Sequence, residues 1–170
     1  MAKLSAGGLA WLKGLHLLFA GLWVGGAITL ILLELKLPTA VTGDELYALH
    51  SCIWTIASLI VIPTALGSLV TGALFCWLTN WGFFRYRWII YKWVVTLAAA
   101  IFGVVWLGPW ILQVSALVGK AREIARDYPE YDRLVQMIFY FGSLQVLALI
   151  ITLFVSTHKP WGRGQPGRQH

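Results

Sequence analysis

Residues 14–33 read GLHLLFAGLWVGGAITLILL, a run without a charged residue, bounded by Lys13 and Glu34. A hydrocarbon layer about 30 Å thick is crossed by about 20 apolar residues in a helix, so this stretch predicts a membrane-spanning segment. Backbone in lipid must satisfy its own hydrogen bonds, which makes a helix the expected form. Three further uncharged runs follow. The stretch from Leu46 to Phe84 is too long for one crossing and too short for two with a loop. Its helix is therefore predicted at 48–78, with interfacial flanks. Trp93–Gly119 follows Lys92, and Leu134–His158 follows Arg133. The expected architecture is all-α: a polytopic membrane protein, one domain over 1–170, with an antiparallel four-helix transmembrane bundle at 9–34, 48–78, 88–118 and 134–158.

Composition agrees. Hydrophobic residues make up 59% of the chain and charged ones 12%, against about 25% charged in an ordinary soluble domain. So few charges cannot coat a water-facing surface. Ten tryptophans suit the boundary between hydrocarbon and headgroups. The formal charge of +6 would suggest nucleic acid in a soluble protein, but here the basic residues sit between apolar runs, which argues against that partner. The expected surroundings are lipid.

The charges also predict an orientation. Four crossings place Lys3, Lys13, Arg85, Arg87, Lys92, Lys159, Arg163 and Arg168 on one side, with no acidic residue among them. The other side carries the remaining basic residues and all seven acidic ones. By the positive-inside rule both termini are expected in the cytoplasm, in a bacterial inner membrane. Lys3 precedes an apolar run as in a cleavable leader, but the run has spanning length and no small-residue cleavage pattern follows, which predicts a retained helix. The outer loop at 119–133 mixes both charge signs and is expected to be a solvated connector, with room for a short surface helix ending before Pro129. The tail at 159–170 is basic and glycine-rich, and is expected to be disordered. Cys52 and Cys76 lie about 36 Å apart along one helix, too far to pair.

Ionisable side chains inside a bilayer are costly, so each is a functional candidate. These are His16, His50, Lys92 and His158, with Glu34 at a helix end. His16 shares a helical face with Leu12, Ala20, Trp23, Ala27 and Leu30, and Gly21 and Gly25 add a GxxxG spacing that admits a neighbouring helix or a flat cofactor. A histidine among small residues and one large aromatic is what a haem crevice in a helix bundle requires. An imidazole bonded to a neighbouring helix satisfies the same pattern. His50 shares its face with Trp54, Ala57, Val61 and a hydroxyl patch of Thr64, Ser68 and Thr71, which predicts an interior face; Pro63 opposite it predicts a kink. His158 closes the fourth helix in the leaflet of His16, as a second metal ligand or as an interfacial anchor. Lys92 is placed to snorkel, to ligate iron as a neutral amine, or to pair with a propionate.

The segments WLKGLH at 11–16 and WVGG at 23–26 resemble the first helix of the bacterial membrane-bound protoporphyrinogen oxidase family, and are also similar to the copper-resistance D membrane domains and related small membrane families. The stretch from Pro63 through the TG at 71–72 to WGFFRYRWIIYKWVVTL at 81–97 is similar in order to that oxidase family's second and lysine-bearing third helices. The likeness covers roughly residues 8–105. It implies haem b in a four-helix bundle, with His16 and Lys92 at the positions of the family's histidine and lysine. This chain departs from the family where a further histidine follows the lysine by about three turns: Phe102 and Gly103 stand there. The resemblance thus carries haem binding further than it carries the oxidase reaction. The copper comparison implies methionine-rich relays, and only Met1 and Met137 are present.

These readings converge on a haem b-binding inner-membrane protein, acting in electron transfer, in porphyrin or quinone redox chemistry, or in haem sensing. Its expected partner is a membrane redox protein or a second copy of the chain. His16, Lys92, His50 and His158 are the candidate cofactor-binding residues, with the three histidines as metal ligands. One haem is expected near His16, and a second near His50 with Met137 as its partner. The competing readings are a small copper or other metal permease that uses His50 and the hydroxyl patch, and a non-catalytic assembly or regulatory subunit.

Overall fold

The computed structural model describes residues 5–79 and 82–158. The tail expected to be disordered, 159–170, lies outside the described residues, as do Lys3 and the basic residues of the tail. Among the described residues four helices are long and apolar enough to cross a membrane, and there is no strand. The first helix is Ala6–Glu34. The second, Gly43–Leu78, comprises Gly43–Ile56, a π turn at Ala57–Val61, and Ile62–Leu78. The third runs from Arg87–Phe102 through a π turn at Gly103–Leu107 into Gly108–Ala121. The fourth is Pro129–His158. The first and third helices each pack against the second and fourth, so the bundle is a ring of four. Large apolar side chains such as Leu59, Val70, Leu144 and Phe154 point outward, a surface that suits lipid rather than water.

The second helix begins at Gly43, earlier than the 48 expected from charge. Thr42 and Glu45 form a capping box: Thr42 Oγ1 accepts from Glu45 N at 3.2 Å, and Glu45 Oε2 accepts from Thr42 N at 3.4 Å. Asp44 and Glu45 in the first turn also favour the positive end of the helix dipole. Charge had marked this stretch as loop, but here the charges are what starts the helix.

The kink expected at Pro63 takes the form of a π turn, and Pro109 produces the same device in the third helix. Ile62 N–H donates to the carbonyl of Ala57, and Gly108 N–H to that of Gly103, five residues back in each case. The residue that follows each donor is proline, which has no N–H and whose ring crowds the carbonyl four residues back. The extra residue in the turn relieves that crowding.

The connector at 119–133 is largely exposed, as a solvated connector is, but it is docked on the bundle rather than loose. Ala121 leads into a 3-10 turn, Arg122–Asp127, which docks over the start of the second helix, and Ala125 is wholly buried. Arg126 donates to the carbonyls of Leu37 at 2.7 Å and Ala40 at 3.1 Å, and Gly43 N–H donates to Glu123 Oε1 at 3.0 Å. Arg122 pairs with Asp44 at 2.6 Å and lies over the Tyr47 ring. Arg122 adopts a left-handed φ of 44°, the one non-glycine residue to do so among those described. The contacts that hold its side chain offset the strain. This cap seals a core that includes Ile53, Val114, Val118 and Leu134.

Close approach between helices occurs at other glycines than the GxxxG pair. A Cβ added at Gly21 or Gly25 would meet nothing within 4 Å, so both face outward. At Gly67 it would stand 2.7 Å from the Phe19 ring, and at Gly26 3.0 Å from Val61 Cγ2. The first and second helices therefore meet through Gly26 and Gly67, with the ring of Phe19 lying in the groove that Gly67 leaves.

Candidate functional site

The bundle is packed at its acidic end and open at its basic end. There the helices enclose a cavity of about 820 Å3, lined mostly by apolar side chains. Its polar groups include His16 and Lys13 from the first helix, Ser68 and Cys76 from the second, Lys92 from the third, and Ser156 from the fourth. The volume lies within the roughly 300–1,000 Å3 of small-molecule and cofactor sites. Trp23, 2% exposed, forms the inner wall.

His16 is held by the second helix. Its Nδ1 lies 2.9 Å from Thr71 Oγ1, and Thr71 in turn donates to the carbonyl of Gly67 at 2.7 Å. With the hydroxyl proton committed to that carbonyl, Oγ1 accepts from Nδ1–H. The neutral ring then keeps its lone pair on Nε2, the arrangement that readies a histidine to ligate a metal. Phe75 meets the imidazole edge-on at 5.7 Å between ring centres, and a Cβ at Gly72 would stand 3.5 Å from Cε1. The ring is thus oriented from two sides, with only a glycine beside its outer edge.

Lys92 Nζ donates to Ser156 Oγ at 3.0 Å. The structure therefore brings the two residues of the resemblance, His16 and Lys92, into one cavity from different helices. It does not bring the other two there. His158 is exposed at the end of the fourth helix, with Nδ1 3.1 Å from the carbonyl of Phe154, and it does not line the cavity. His50 is wholly buried at the acidic end, where Nε2 shares a 3.3 Å contact with the Tyr131 hydroxyl. It lies among packed core residues and does not line the basic-end cavity.

The hydroxyl patch of the second helix is interior, as its face predicted: Thr64, Ser68 and Thr71 are all buried. Its use differs from a polar path. Thr64 donates to its own helix at Ile60, and among these hydroxyls it is Thr71 that also takes a bond from another helix. Three groups of the site escaped the sequence reading: the Thr71–His16 pairing, Ser156 beneath Lys92, and Cys76 in the cavity wall. Each is an ordinary residue in an apolar run, and the face of Thr71 was the one signal available. Among the described residues no three His, Cys, Asp or Glu side chains gather as a metal site would need. Haem iron, held by its own ring, asks only an axial ligand or two of the protein. No family model, curated protein or solved structure matches this chain.

Proposed function

We propose that the chain is an integral protein of a bacterial inner membrane that binds haem b in the basic-end cavity, with His16 Nε2 as axial ligand, and serves in electron transfer. The observation that carries this is the His16–Thr71 bond inside a cavity of cofactor size. The donor set fits the group: one oriented imidazole, a largely apolar wall, and a lysine for a propionate or for the second axial position. Bound haem would supply one-electron chemistry. The chain's own part is to hold the imidazole tautomer through Thr71, to exclude water through the apolar wall, and to place positive charge through Lys92. The basic end lies toward the cytoplasm, by the excess of Lys and Arg there.

The test is an absorption spectrum of the protein purified from cells with ample haem. A Soret band that His16→Ala abolishes or shifts is expected. No band, even after adding haemin to the purified protein, refutes the reading. Lys92→Met separates the two roles of the lysine: an axial ligand changes the coordination bands, whereas a propionate partner changes affinity with the bands unmoved.

A further inference from the structure

Glu34 ends the first helix at 4% exposure, and neither of its carboxylate oxygens has a hydrogen-bond partner. It lines a second cavity, of about 80 Å3, whose walls are otherwise almost entirely hydrocarbon. That is room for several water-sized molecules, at roughly 10–15 Å3 each. Gln145 of the fourth helix lines the same cavity, and its Oε1 is likewise buried and unbonded. Both π turns border it, through Ala57 and Val61 on one side and Gly103 and Leu107 on the other. Irregular turns of this kind recur where helices carry function.

An ionised carboxylate is very costly in such surroundings unless it is paired. Glu34 takes part in no ion pair among the described residues. Around it, Tyr131 of the fourth helix is the neighbouring titratable group, with Arg126 and Asp132 near that tyrosine. His50 of the second helix is engaged with Tyr131, and Arg126 with the carbonyls of Leu37 and Ala40. None of these bonds to the carboxyl. Glu34 therefore needs a neutralising cation of its own. A metal ion asks for a shell of several oxygens, but the only side-chain oxygens in this wall are those of Glu34 and Gln145. A proton asks for one.

We infer that Glu34 is an intramembrane proton-binding site, its carboxyl held as the neutral acid in the chamber it shares with Gln145 between the two π turns. Trp23 lines this chamber and also the larger cavity, and so stands where the two adjoin. The site does not depend on what the larger cavity binds.

Infrared spectroscopy of the full chain in lipid nanodiscs at neutral pH tests this without haem. The carbonyl stretch of a protonated carboxylic acid is expected, shifted in heavy water and lost in Glu34→Gln, while Glu130→Gln at the exposed start of the fourth helix leaves it. Gln145→Leu should move the band by changing its surroundings. Absence of the band from the wild type overturns the inference, and so does its collapse on adding Na+ or K+ at fixed pH, which would make the occupant a metal ion. Should Glu34→Gln fail to fold, isotope-labelled glutamate in the wild type and in Gln145→Leu locates the proton: a labelled, protonated band that Gln145→Leu moves supports the site, and no such band, or one left unmoved, refutes it.

Discussion

Replacing Thr71 by valine keeps the shape of the side chain and removes the hydroxyl that stands 2.9 Å from His16 Nδ1. The carbonyl of Gly67, which that hydroxyl also served, keeps its helical surroundings, so the main loss falls on the imidazole. Loss of a partner that orients a metal-bound histidine weakens binding about 10–100-fold. That is about 1.4–2.7 kcal/mol. Haemin titration of the detergent-solubilised protein, followed at the Soret band, should therefore show Thr71→Val binding about 10–100-fold more weakly, and Thr71→Ser close to the wild type. Thr64→Val is the control, because its hydroxyl donates only within its own helix, at 2.6 Å to Ile60. In a His16→Ala background Thr71→Val should have no further effect. An affinity for Thr71→Val equal to that of the wild type would refute the assignment of Nδ1 as donor, and with it the preparation of Nε2 as the ligand.

The acidic-end cap gives two further tests. A Cβ at Gly43 would stand 2.6 Å from the backbone nitrogen of Glu123, so Gly43→Ala should cost about 1–3 kcal/mol as an overpacked contact, seen as a lower melting temperature in detergent. Arg126→Ala strands the carbonyl of Ala40 and leaves that of Leu37 with only its bond from Ala40 N–H at 3.2 Å. Hydrogen bonds to charged groups contribute about 1.5–3 kcal/mol each, so limited proteolysis should then cut first between the first and second helices. At the other end, Lys92 donates a hydrogen bond to Ser156 and has little else to offset burial. Lys92→Met should raise the melting temperature of the haem-free protein while weakening haemin binding, since an ionisable group kept against stability is kept for a ligand. A variant less stable than the wild type would show that the lysine serves the fold.

Much of the fold was legible because membrane crossing is a local property. A helix long enough to span and apolar enough to stay is recognised within its own twenty or so residues, and all four spans follow from that alone. His16 and Lys92 stood out for the same reason: an ionisable group in an apolar run is visible without knowing what surrounds it. Thr42 and Glu45 also carried a readable capping signal, although the charges of that stretch pointed toward loop.

What could not be read depends on rotation and contact between helices. Gly21 and Gly25 have the spacing of a packing motif, yet Gly26 and Gly67 make the contact, because one residue of helical phase, about 100°, decides whether a glycine faces a neighbour or lipid. Two π turns shift that phase within the second and third helices. The mixed charges of 119–133 look like those of a solvated loop, but Arg122, Glu123 and Arg126 find partners far away in sequence. His158 lies at the same end of the bundle as His16 and still lies outside its cavity. The sequence by itself thus determined four helices long and apolar enough to span a membrane, and a histidine and a lysine in apolar runs that call for a function. Only the tertiary structure decided that Thr71 holds that histidine, that Lys92 shares its cavity, and that Glu34 is buried unpaired, because each of these rests on where a neighbouring helix puts its side chains.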